Sequence, residues 1–188
     1  MGRFKIRIHP SVLLGLSIAL IALPFRWVIA WILAGLFHEL FHVVALYYFG
    51  EKRIALEIRM YGAKILASSI NGINAILAYL MGPFGGIILM SARRYIPTIA
   101  TCAFLQSMYN LLPIYPLDGG CIVLAILEMS NNRGNTLRIM NGISCFITVV
   151  ILCLAVIMKS KILLALFAIL GFKMIKNRPC KQIDEIVQ

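Results

Sequence analysis

Four long apolar stretches and two shorter ones, divided by short polar or basic segments, organise this chain. They run over roughly residues 11–25, 27–49, 66–90, 96–127, 137–158 and 162–174. A helix needs about 17 to 25 apolar residues to cross a bilayer, so most of these can span and the first and last are short. The pattern predicts an all-α polytopic membrane protein with about six transmembrane helices. Two places depart from helical patterning. Asn110 to Gly120 contains Pro113, Pro116, Gly119 and Gly120, which must break the fourth helix. Ile54, Leu56, Ile58 and Met60 alternate with Ala55, Glu57 and Arg59, a period of two that predicts a strand or small β-hairpin after the second helix. Gly82-Pro83 in the third apolar run predicts a kink, and Asn71 and Asn74 share a face there, suited to hydrogen bonds between helices or to lining a water path.

Composition strengthens the membrane reading: of 188 residues 61% are hydrophobic and 13% charged, more apolar surface than a soluble core of this size hides. The net charge of +11 raises nucleic acid as a partner, but no basic run is interleaved with aromatics, so none is expected. The basic residues sort by topology instead. With a cytoplasmic N-terminus, thirteen of the eighteen Lys and Arg residues fall on the inner side, leaving Arg26, Arg93, Arg94, Lys159 and Lys161 outside. Both termini are therefore expected in the cytoplasm. Five cysteines without C-x-x-C spacing read as small apolar residues, Cys121 being the one near candidate chemistry. The basic start before Ser11 lacks a small-residue cleavage site and reads as the flank of an uncleaved first helix.

Chemistry enters with His38-Glu39-Leu40-Phe41-His42, inside the second apolar run. Residues four apart lie on one helix face a turn apart, so His38 and His42 can point at one cation with Glu39 beside it. An ionisable group at the centre of a span costs about 2.5 to 3.5 kcal/mol on insertion scales, a penalty that pairing with a metal removes. With Trp27 near one membrane face, His38 lies about 16 Å along its helix at 1.5 Å per residue, near mid-depth. Asp118, at the proline-glycine break, is the expected third ligand, since a carboxylate is a hard donor and irregular backbone at that depth must line protein or a wet cavity. Glu51, Glu57, Glu128, Asp184 and Glu185 lie in or beside loops or the tail. Three protein ligands leave a fourth position on zinc open and lower the pKa of water there toward about 7, so Glu39 can take its proton and return it to a leaving amine. One zinc per chain is expected. Asn110 can hydrogen-bond substrate or a developing oxyanion, or stabilise the break. A substrate must be extended at the metal, and Leu56 and Ile58 would flank it if the 54–60 strand offers an open edge.

The HExxH helix followed by N-x-x-P-x-x-P-L-D-G at Asn110 to Gly119 resembles the site-2 proteases, and most closely the stage IV sporulation protein FB branch. The resemblance runs from Ile8-His9-Pro10 to about Lys176 and includes Gly82-Pro83. It implies an intramembrane zinc metalloprotease domain over residues 1–176, with His38, His42 and Asp118 as ligands and Glu39 as general base and acid. At branch level it implies a membrane-associated sigma-factor precursor as substrate, regulatory membrane proteins as partners, and a bacterial membrane around a developing spore as location. Two features depart from the family. Phe41 stands where a small glycine is usual, and the tail at 177–188 is too short for the nucleotide-sensing CBS pair of the branch, so ATP-linked control is not expected. Di-iron hydroxylases need more than this chain's three histidines. The remaining rival is a catalytically silent member that binds or scaffolds membrane partners, which Glu39→Gln separates from a protease.

Overall fold

The computed structural model describes residues 3–51, 53–59, 62–67, 70, 72–130 and 133–159, so the expected last span at 162–174 and the tail lie outside the described residues. The fold is mostly helical and divides into two compact units, Met1–Asn110 and Leu111–Gln188.

The first unit opens with strand β1 (Arg3–Ile8), then helix α1 (Ser11–Ala22) and helix α2 (Phe25–Tyr48). Pro24, with φ −57° and ψ 139°, separates the two helices, because a proline cannot continue the first and readily starts the second. At 24 residues α2 is about 36 Å long, enough for a hydrocarbon core of about 30 Å. It stops at Gly50, whose φ of +83° suits only a residue without a side chain; the Glu51 N–H bonds the Leu46 carbonyl at 3.0 Å and the Gly50 N–H that of Tyr47 at 3.0 Å.

Strands β2 (Arg53–Arg59) and β3 (Gly62–Ala67) follow. The sheet order is β1-β2-β3, with β1 parallel and β3 antiparallel to β2. The alternating segment is thus a strand, but not an edge. Leu56 pairs with Ile6 on one side and Ile65 on the other, and Ile58 with Ile8 and Ala63. Both neighbours of β2 are taken, so Leu56 and Ile58 cannot border a substrate added to this strand; an added strand would have to pair with β1 or β3.

Helices α3 (Gly72–Ser91) and α4 (Pro97–Asn110) complete the unit. The buried positions of α2 include Ala30, Ala34, His38, His42 and Ala45, one face at spacings of four and three. The neighbouring helices bury small residues: Ala75, Ala78, Gly82, Gly85 and Gly86 on α3, and Ala100, Cys102, Ala103 and Ser107 on α4. Lipid is as apolar as a side chain, so helices in a bilayer gain by close approach, which small residues allow. Pro83 is fully buried within α3, which continues through it from Gly72 to Ser91. Asn74 is exposed, and Asn71 lies outside the described residues.

In the second unit, residues 111–117 lead into α5 (Asp118–Ser130), followed by α6 (Arg133–Ile157). The loop folds back on the start of α5. A Cβ on Gly119 would stand 2.6 Å from the Leu112 carbonyl oxygen, and one on Gly120 2.5 Å from that of Ile114, so both glycines are there for close approach. The Tyr115 N–H bonds Ser144 Oγ on α6 at 3.0 Å, and Ile114 is fully buried.

Of the six described helices, three are long and apolar enough to cross a membrane: Phe25–Tyr48, Gly72–Ser91 and Asn135–Ile157 within α6. At 12, 14 and 13 residues, α1, α4 and α5 are shorter than the spans expected from runs 11–25 and 96–127. Prolines and glycines cut those runs into pieces.

Candidate metal centre

The first unit brings together His38, His42 and Asn110. His38 and His42 are 4% and 6% exposed on the face of α2 that meets α3, which for two ionisable rings calls for a partner. His42 Nδ1 lies 2.7 Å from the Ala78 carbonyl of α3. A carbonyl can only accept, so Nδ1 carries the proton and Nε2 presents its lone pair. That Nε2 faces His38 Nε2 at 3.2 Å, with the two rings nearly perpendicular at 82°. Two nitrogens on one tetrahedral zinc at about 2.0 to 2.1 Å are about 3.3 to 3.4 Å apart. The imidazole pair therefore fits a shared zinc ion, and the Ala78 carbonyl supplies the outer hydrogen bond that orients such a ligand.

Asn110, the last residue of α4, places its amide nitrogen 3.2 Å from His38 Nε2, beside the position a cation would take. One turn earlier Gln106 donates to the Trp31 carbonyl of α2 at 2.9 Å, tying α4 to the same helix. Glu39 is half-buried on α2, next to His38. Leu56 and Ile58 lie in the central strand, as described above. Asp118 belongs to the second unit, where it opens α5; a carboxylate is favoured there by the positive end of the helix dipole. Cys121 is one turn further along the same helix.

Two glycines complete the seat. A Cβ on Gly82 would overlap His42 Nε2 and stand 2.8 Å from His38 Nε2, so the rings lie directly on α3 backbone. A Cβ on Gly85 would stand 2.6 Å from Phe41 Cγ. The unusual Phe41 is thus accommodated by a glycine facing it, with its ring 5.0 Å from that of Phe37, and the imidazole pairing is kept with the bulky residue in place. The sequence carries a signal for these contacts in the density of glycine over Gly82-Pro83-Phe84-Gly85-Gly86, of which only Gly82-Pro83 is read above, as a kink.

The sequence profile of Peptidase family M50 matches residues 55–155, more than half of the chain. The chain belongs to peptidase family M50. The matched part of this M50 chain contains Asn110 to Gly120 and begins after the HExxH segment, which the imidazole geometry supports separately. Comparison with curated protein sequences gives no match. Among solved structures, the site-2 protease from Methanocaldococcus jannaschii superposes with a TM-score of 0.74 at 20% identity, over 97% of this chain and 94% of that one, a likeness of fold. M50 proteins are zinc metalloproteases, and with three membrane-length apolar helices the family assignment makes this an intramembrane metalloprotease.

Proposed function

We propose that this M50 chain is a zinc metalloendopeptidase of site-2 type, cleaving a membrane-associated protein within or near the bilayer, with His38, His42 and Asp118 as ligands to one zinc and Glu39 as general base and acid. The observation that carries the reading is the pair of buried Nε2 atoms at 3.2 Å, one of them fixed as a bare lone pair by the Ala78 carbonyl. A zinc ion there supplies Lewis acidity and brings the pKa of water toward about 7. Glu39 accepts the proton of the attacking water and hands it to the departing amine, a transfer worth about 10² to 10⁴-fold. Asn110, reaching His38 Nε2, is placed to donate to the oxyanion that forms as the peptide carbonyl is attacked. The Ala78 carbonyl keeps His42 in the tautomer that binds metal. Asp118 opens α5 as a hard oxygen donor between the prolines and the apolar helix.

The positive-inside count supports cytoplasmic termini. The narrower assignment, cleavage of a sigma-factor precursor in a membrane around a forming spore under the control of membrane partners, rests on the overall resemblance to the stage IV sporulation protein FB branch alone. Glu39→Gln tests the enzyme reading. A protease keeps its zinc and loses cleavage of a reconstituted membrane substrate, whereas an unchanged rate removes Glu39 from the chemistry, and a scaffold alters in neither property.

A further inference from the structure

Strand β1 carries two unlike faces in full view. Ile6 and Ile8 are 57% and 68% exposed, and Lys5 and Arg7, which alternate with them, are exposed as well. On the apolar side the register sets Ile6 beside Leu56 and Ile8 beside Ile58. Leu56 is buried, so one apolar sheet face is covered at its centre and bare at β1. On the other side Lys5 stands opposite Ala55 and Arg7 opposite Glu57, while Arg3 is in register with Arg53. Among the described side chains on that face, the one carboxylate, Glu57, stands with two cations, Lys5 and Arg7.

The strand runs without slack into α1. The His9 N–H still bonds the Ile58 carbonyl at 2.9 Å, His9 Nδ1 takes the Ser11 N–H at 3.2 Å and bonds Ser11 Oγ at 2.8 Å, and the helix begins at once. No residue of α1 is buried; Leu13 and Ile21 are 71% and 88% exposed. A 12-residue helix is about 18 Å long, too short to cross the hydrocarbon core yet apolar on every side, so lipid is what covers it. A strand joined to it by a two-residue corner then lies at the membrane boundary. There, acyl chains are on one side and phosphates on the other, within the thickness of one strand.

We infer that β1 rests in the interfacial layer of an anionic bilayer, with Ile6 and Ile8 toward the acyl chains and Lys5 and Arg7 against lipid phosphates. An acidic protein would satisfy the basic face and leave the isoleucines in water; an anionic lipid surface satisfies both. Each basic side chain near such a surface adds a favourable term that salt screens.

The test uses the full chain in vesicles of equimolar zwitterionic phosphatidylcholine and anionic phosphatidylglycerol, with bromine on the acyl chains of one or the other. Ile6→Trp, Ile8→Trp and Lys5→Trp are measured against the parent, whose Trp27 and Trp31 give a constant background. All three changes are at exposed positions and leave the fold intact. Tryptophan at 6 and 8 should be quenched by bromolipid and shielded from acrylamide, and at 5 the reverse. Brominated phosphatidylglycerol should quench position 6 at least about twofold more than brominated phosphatidylcholine, and the excess should vanish with Lys5→Gln/Arg7→Gln or in high salt. Acrylamide reaching positions 5 and 6 alike would put the strand in water. Shielding at 6 without bromolipid quenching would mean that protein, either another part of the chain or a substrate strand on the free β1 edge, covers it. Equal quenching by both lipids would remove the anionic preference. Each of these three results overturns the inference.

Discussion

Gly82→Ala puts a methyl group where two imidazoles already touch α3. The added carbon would stand 2.5 Å from His42 Cε1 and 2.8 Å from His38 Nε2, against the 3.4 Å at which ordinary contact begins. To bring Cε1 back to that distance the His42 ring must retreat by at least about 0.9 Å, and its Nε2, which stands closer still, by more, several times the tolerance of about 0.2 Å on a metal-ligand distance. If α3 yields instead, the 2.7 Å bond from His42 Nδ1 to the Ala78 carbonyl stretches, and the tautomer loses its support. Either relaxation reaches the zinc site, so zinc affinity should fall by about 10 to 100-fold, the usual cost of disturbing a ligand's outer shell. The assay is competition with a chromophoric chelator on the purified protein, alongside cleavage of a reconstituted substrate. Gly86→Ala on the same helix is the control for crowding, since its Cβ would meet Ser107 Oγ and the Ala103 carbonyl and no imidazole. Gly142→Ala on α6, with nothing within 4 Å, is the control for the substitution itself. Gly86→Ala should lower thermal stability while zinc affinity holds, and Gly142→Ala should be neutral or slightly stabilising. Wild-type zinc affinity and rate in Gly82→Ala would refute the argument that α3 backbone seats the two rings.

Gly85→Ala should cost about 1 to 3 kcal/mol through collision with Phe41, and Phe41→Gly in the same chain should restore most of it, read from thermal unfolding in detergent. Asn110→Ala should keep zinc bound and lower kcat by about 10² to 10³-fold if its amide serves the oxyanion; an effect on KM alone would assign it to substrate binding. Leu56→Pro removes an N–H from a strand paired on both sides, so it should impair cleavage through the sheet while zinc content measured by mass spectrometry stays at wild-type level.

The parts legible beforehand were those written in side-chain periodicity. The four-residue spacing of His38 and His42 in an apolar run announced two rings on one face, and the period-two run from Ile54 announced a strand. Arg3-Phe4-Lys5-Ile6-Arg7-Ile8 has the same alternation, but its charges read as a topology signal and the parallel strand β1 was missed; with it went the fact that Leu56 and Ile58 are central. The partner of His42 could not be read at all, because a backbone carbonyl carries no residue identity and only the packing of α3 on α2 selects Ala78. Gly82 and Gly85 were visible as residues, yet which helix they face is a tertiary fact. Hydropathy alone overstated helix length: the run over 11–25 carries a helix that stops at Ala22, ahead of Pro24, and the run over 96–127 carries α4 and α5 as separate pieces of 14 and 13 residues.

X-ray absorption fine structure at the zinc edge, on purified protein loaded with one equivalent of zinc, tests the central claim most directly. The account predicts four light ligands at about 2.0 to 2.2 Å, with the outer-shell scattering of two imidazoles and one carboxylate oxygen lost in Asp118→Asn. Failure to retain zinc, a sulfur ligand at about 2.3 Å, or a spectrum that Asp118→Asn leaves unchanged would contradict it.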